Sequence, residues 1–222
     1  MKMVLRLLTL LCVVALSVVG WATPTVANGS FEADTFSSGG TLGLGCGNTL
    51  TGWQTQCSPD LVYPWGLPNS NVYNAGPTPY GNQWVIVGDY GMGGSGIFQL
   101  VPGFNIGQTY TLNFALASED PGAGALILVS FPTGSSTGSQ IFAAPLRGAN
   151  YWDTWGSYSY NFVATATSVT IRFDGLAGSG FDPGVDNVSI TGGSSVPEPT
   201  TLVMLGTGVL GLAGAVRRKI NL

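Results

Sequence analysis

Histidine is absent from all 222 residues. Ser-His-Asp and Cys-His catalysis are therefore excluded, and so is every metal site that needs an imidazole. Lysine occurs only at Lys2 and Lys219, so no Ser-Lys dyad can form in the middle of the chain. Charge is scarce altogether, at 8% of residues. Between about Asn28 and Gly193 the only bases are Arg147 and Arg172. They stand against ten carboxylates: Glu32, Asp34, Asp60, Asp89, Glu119, Asp120, Asp153, Asp174, Asp182 and Asp186. Two bases and ten acids leave this stretch at −8. A surface of that sign repels nucleic acid and anionic lipid. Neutral glycans and bound cations remain compatible with it. Sustained helical periodicity is missing too, which argues against a helical body.

Cysteine is nearly absent. Cys12 falls in the N-terminal apolar run, which leaves Cys46 and Cys57. In an oxidising compartment an even pair reads as one disulfide closing a short loop. The alternative, a metal site, lacks His partners.

What is present begins with the two ends. Lys2 and Arg6 precede an apolar run, Leu7 to Val19, and then small residues with Ala22 and Ala27 as cleavage positions. A basic start, a short apolar stretch and a small-residue exit describe a secretory signal peptide. We place it at 1–22, with 27 as the later option. The run is short against the ~20 residues that a spanning helix needs. At the other end, residues 192–199 form a linker that closes on Pro197-Glu198-Pro199. Residues 200–222 form a tail: an apolar run from Thr200 to Val216, then Arg217, Arg218 and Lys219. That order predicts a C-terminal transmembrane helix with its basic end in the cytoplasm and the body outside.

The body, 25–191, is long enough for one domain with a real core. Strand-length segments recur between Gly, Asn and Pro punctuation: Gln83–Val87, Ile97–Val101, Thr109–Ala117, Ala125–Phe131, Tyr158–Val163, Ser168–Phe173 and Val185–Ile190. The third alternates cleanly, with Tyr110, Leu112, Phe114 and Leu116 on one face. Residues 37–81 read as long loops with room for two short strands. The expected class is all-β, an antiparallel sandwich.

Two resemblances follow from these residues. Pro197-Glu198-Pro199, the Gly-rich apolar run and the Arg217-Arg218-Lys219 cluster, in that order, resemble a PEP-CTERM sorting signal. The resemblance implies a substrate of an exosortase-type membrane transpeptidase in a Gram-negative bacterium that makes exopolysaccharide. The body is similar to the galactose-binding-like jelly rolls, the fold of many carbohydrate-binding modules. That likeness rests on Asn28-Gly29-Ser30-Phe31-Glu32, Gly52-Trp53, Gly81-Asn82-Gln83-Trp84, Gly107-Gln108-Thr109-Tyr110, Trp155 and Val185-Asp186-Asn187-Val188-Ser189-Ile190. It implies a structural Ca²⁺ joining the first and last strands, with Glu32 and Asp186 as ligands and Asp34 in reach. The other reading of Glu32 and Asp186 is that they cap turns or accept backbone N–H bonds.

Sugar recognition stacks the C–H face of a pyranose on an aromatic ring. Trp53, Trp84 and Trp155 lie in strand motifs and are expected in the core. Of the aromatics in loop-like sequence, Trp65 and Trp152 are the candidates for an exposed platform. Glu119, Asp120, Asp153, Asp174 and Asp182 offer carboxylates for glycoside hydrolysis, but sequence does not fix the separation that chemistry needs. No catalytic residue is assigned. The expected protein is exported and non-catalytic, held briefly at the inner membrane and then at the cell surface or in the matrix. It is a glycan-associated module or, in the alternative, a structural surface protein without a small ligand.

Overall fold

The computed structural model describes residues 23–34, 49–56, 78–88, 96–119, 121–122, 124–176, 182–193, 206–211 and 216–217. The chain divides into two units, Ala22–Gly193 and a second made of Met1–Trp21 with Ser194–Leu222. Among the described residues of the first unit, ten strands form two sheets. They are β1 (Thr49–Leu50), β2 (Trp53–Gln56), β3 (Val85–Ile86), β4 (Gly96–Pro102), β5 (Thr109–Ser118), β6 (Leu126–Ser130), β7 (Gln140–Ala143), β8 (Trp155–Val163), β9 (Ser168–Gly175) and β10 (Pro183–Gly192). One sheet runs β1-β2-β4-β9-β6-β7 and the other β3-β10-β5-β8. All the pairings between these strands are antiparallel.

The alternation of β5 explains the packing. Tyr110, Leu112, Phe114 and Leu116 are buried between the sheets and join a core to which both sheets contribute. Phe114 shows how the layers meet. Its ring stacks on Tyr158 of β8 at 5.8 Å, and its edge meets Phe142 of β7 at 5.1 Å and Phe173 of β9 at 5.3 Å. Facing aromatics of this kind fill the space between two sheets and add to area burial. Tyr158 and Tyr160 also reach across with their hydroxyls, donating to the carbonyls of Ala143 and Gly138.

β7 was not foreseen. Among the described residues it pairs only with β6, and Ile141 in it is exposed, so the alternation that marks a buried strand is missing. The two short strands expected within 37–81 are β1 and β2. In the second unit, residues 206–211 and 216–217 are helical. No helix among the described residues is long and apolar enough to cross a membrane, so the expected spanning helix is not seen there. The signal segment, 1–22, lies outside the described residues.

Candidate functional site

The opening segment folds onto the closing strand through short polar side chains. Asn28 adopts φ 48°, in the left-handed region that Asn tolerates. Its carbonyl accepts from the N–H of Phe31 at 3.1 Å and from Trp53 Nε1 at 3.1 Å. Its Oδ1 accepts from Ala33 N. Gly29 then gives its carbonyl to Val188 N of β10 at 2.8 Å. A Cβ at Gly29 would stand 1.9 Å from the Val188 carbonyl oxygen, so only glycine allows this approach. The ladder of β10 with β5 shifts register between Asp186 and Ser189, with Asn187 at φ 51° between them. A bulge of this kind re-aims side chains, and here Asp186 lies beside it, wholly buried.

Glu32 and Asp186 are the carboxylates this arrangement brings near each other. Glu32 Oε1 accepts from the backbone N–H groups of Asn82 at 2.6 Å and Gln83 at 2.7 Å. Gly81, at φ 151°, has no Cβ to push that oxygen away. Asp186 accepts from the Thr78 hydroxyl through Oδ2 and from Asn187 N at 2.6 Å through Oδ1. Burial pushes the Asp186 carboxyl up to about 6; the bonds from Thr78 and Asn187 oppose the rise, and the negative charge of Glu32 adds to it. The two described bases of the body are committed elsewhere. Arg172 is paired with Asp174 at 2.7 Å, and the Arg147 guanidinium lies 4.4 Å over the Tyr151 ring. Accepting backbone N–H bonds, one of the two readings of these residues, is thus what the contacts show. A cation held here would relieve the repulsion that Glu32 exerts on Asp186. Oxygen donors are available at Glu32, Asp186 and Thr78, whereas Ca²⁺ takes six to eight. No group of three or more acidic or thiol side chains occurs among the described residues. Asp34 turns away from the pair, accepting from Thr51 N, Thr51 Oγ1 and Asn28 Nδ2.

The outward side of the four-stranded sheet has two parts. At one end Trp84, Ile86, Ala117 and Trp152 form a second apolar cluster, with Tyr151 and Trp155 packed on it. Gly184 lies beneath, and a Cβ there would touch all three tryptophans. Trp152 is 4% exposed, sits at φ 51°, and donates Nε1 to the Asp182 carbonyl at 3.1 Å. The expectation of an exposed platform at Trp152 is thereby corrected: its ring packs at 6.4 Å from Trp84. Trp155 is half-buried, and Tyr80 meets it edge-on at 6.4 Å. Beyond these rings the face turns polar. Thr111 and Asn113 of β5 and Ser189 and Thr191 of β10 point the same way. Thr111 Oγ1 donates to Asn161 Oδ1 at 2.8 Å, and Asn113 Nδ2 donates to Thr191 Oγ1 at 3.1 Å. No side chain of β5 or β8 carries a charge, and β10 holds only the buried Asp186.

The carboxylates considered for hydrolysis differ in setting, although Glu119 and Asp182 share one end of the β5–β10 ladder, next to the Ser118–Pro183 pair. Asp174 is held by Arg172. Asp153 accepts from Gly148 N, Asn150 N and Thr154 Oγ1. Asp182 lies against Gly88, where its Oδ1 leaves no room for a Cβ. Glu119 follows β5, and Asp120 lies outside the described residues. Also outside them are Trp65, Cys46, Cys57, Pro197, Glu198, Pro199, Arg218 and Lys219. Arg217 falls in the helical pair 216–217. Trp53 is in the core as expected; Trp84 is buried in the outer cluster instead, and Trp155, also expected in the core, is half-buried there. Tyr80 and the polar residues of β5 and β10 were missed as a surface. Their alternate spacing was the available signal.

The molecule is therefore of the all-β antiparallel class, two sheets around one aromatic core. Its tail is more specific: residues 195–219 match the PEP-CTERM protein-sorting motif, and such a motif marks an exported protein. A search of curated proteins finds no match. Among solved structures, the chain resembles the module TmCBM61 in complex with beta-1,4-galactotriose, at 15% identity over 75% of this chain and 96% of that one, TM-score 0.43. It also resembles a CBM4 module, at 15% identity over 76% and 99%, TM-score 0.40. A third likeness is the C-terminal CBM6 of LamC from Zobellia galactanivorans, at 20% identity over 52% and 84%, TM-score 0.38. These scores are low, and the architecture given above rests on the strand pairing itself.

Proposed function

We propose that this chain is an exported, non-catalytic surface or matrix protein of a Gram-negative bacterium whose jelly-roll-like body binds a neutral glycan. The observation that supports the reading is the outward side of the four-stranded sheet. In a body of net charge −8, β5 and β8 carry no charged side chain and the one carboxylate of β10, Asp186, is buried. The face presents hydroxyls and amides from Thr111, Asn113, Ser189 and Thr191 beside the rings of Tyr80 and Trp155. Neutral sugars are recognised by that combination of donors, acceptors and ring faces, and an anionic ligand would find no counter-charge there. A glycan array probed with the full chain tests it. Specific binding that Asn113→Ala weakens supports the reading, and a blank array selects the structural alternative.

The tail would be cut by an exosortase-type enzyme near Pro197–Thr200 after a transient stay in the inner membrane, so mature protein should end there by mass spectrometry. Cys46 and Cys57 would be joined in the oxidising compartment, leaving no free thiol to label in the exported form. Glu32 and Asp186 would share a Ca²⁺, which neutralises the paired carboxylates. Since the ion binds only the folded state, chelator should lower the melting temperature of the wild type and leave Asp186→Ala unmoved. A wild type indifferent to chelator and to added Ca²⁺ would refute the site.

A further inference from the structure

We infer that the outer edge of β8 is a self-association site, at which two copies pair their β8 strands antiparallel about a two-fold axis at Ser159. The inference stands apart from glycan binding. Among the described residues four strands end the two sheets, and three of them are short: two residues in β1, two in β3 and four in β7. β8 has nine, and its ladder to β5 runs without a register shift from Trp155 to Val163. An open edge carries a row of backbone N–H and C=O groups that can pair with another strand.

One end of that row is already occupied, and it identifies the direction of the rest. Val163 N donates to Thr137 Oγ1 at 3.1 Å, and Val163 O accepts from Ser136 N at 3.2 Å and Ser135 Oγ at 2.9 Å. Backbone groups in an antiparallel strand alternate sides. Asn161, Ser159 and Ser157 therefore direct theirs to the same open edge. Among the described residues no backbone partner appears for them there.

The chemistry of the strand selects its partner. Edges are ordinarily guarded by lysine, proline or a bulge. Gly156-Ser157-Tyr158-Ser159-Tyr160-Asn161 has none of these. No charged residue occurs from Thr154 to Ile171, so two copies of an acidic body can meet here without like-charge repulsion. The sequence is also self-complementary. With Ser159 opposite its own copy, Ser157 faces Asn161 and Tyr158 faces Tyr160, and all three outward residues fall in hydrogen-bonding register.

Cross-linking and sedimentation of the full chain in detergent decide it. Ser159→Cys should give a disulfide-linked dimer on mild oxidation. Ser189→Cys, on the inner strand β10, should not exceed the wild-type background. Ser159→Pro removes one outward N–H at a position where an edge strand accepts proline, and should weaken self-association by about tenfold or more. Its melting temperature shows whether it has folded; should it not fold, the cysteine pair decides alone. A wild type that stays monomeric at the highest attainable concentration would overturn the inference. So would equal cross-linking at Ser159 and Ser189, or unchanged association in a folded Ser159→Pro.

Discussion

The two faces of β5 show how differently one strand can be used. Its inward residues, Tyr110, Leu112, Phe114 and Leu116, are large and belong to the mesh of rings between the sheets. Its outward residues are Thr111, Asn113, Ala115 and Ala117, and two of these are just as buried. The difference is in what buries them. Inward, the opposite sheet covers the strand along its whole length. Outward, the described residues cover only one end, with Trp84, Trp152 and Trp155 over Ala117 and the Thr78–Gln83 segment over Ala115 and its neighbour Asp186. Small residues on the outward face make room for that cover, and polar ones take over where it stops.

The inward face should carry the largest energy. Phe114→Ala removes a ring in contact with both sheets, and should cost about 3–5 kcal/mol in denaturant unfolding. A loss below about 1 kcal/mol would mean that the core can close over the gap, contrary to the packing of Phe114 against three rings.

Trp152 tests the covered end of the outward face. Its ring is buried, and Nε1 is satisfied by the Asp182 carbonyl. Trp152→Ala should cost about 3 kcal/mol, close to a core substitution. If stability hardly changed while glycan binding fell, the ring would be a platform after all, and the division of the face would be drawn in the wrong place.

How far these faces could be read from sequence depends on what wrote them. β5, β9 and β10 were legible because apolar residues alternate with polar ones along them. β7 was not, because an edge strand with an exposed Ile141 lacks that alternation. Trp152 misled for a related reason. It sits between Asn150 and Asp153 in turn-like sequence, and nothing local signals that a left-handed backbone at φ 51° folds its ring under Trp84. Glu32 and Asp186 are 154 positions apart in sequence (186 − 32). Only their resemblance to opening and closing motifs linked them, because no local pattern encodes a long-range pairing.

Glu32 offers a smaller test of the same end. Glu32→Ala leaves the N–H groups of Asn82 and Gln83 without their acceptor, and should cost about 1–3 kcal/mol in chelator-treated protein. Glu32→Gln keeps an acceptor oxygen and should cost less. Equal losses for the two substitutions would show that the N–H groups of Asn82 and Gln83 need a charged acceptor, which the amide oxygen of glutamine does not replace.

The smallest effect belongs to Asp153, at the turn that leads into β8. Burial raises its carboxyl, but the bonds from Asn150 N, Gly148 N and Thr154 Oγ1 and the charge of Arg147 together outweigh that and hold it below 3.8. The sign follows from linkage: with the folded value below the unfolded one, ionised Asp153 stabilises the fold above 3.8. That contribution is lost as the pH falls through the folded value. Asp153→Asn has one acceptor oxygen fewer and no titration. The wild type should therefore exceed the variant by a constant, small margin from neutral pH down to about 5, and the margin should shrink below 3.8. Paired melts across that range measure it, and groups common to both proteins cancel in the difference. A margin that grew on acidification would mean that burial, rather than the turn's N–H groups, governs this carboxylate.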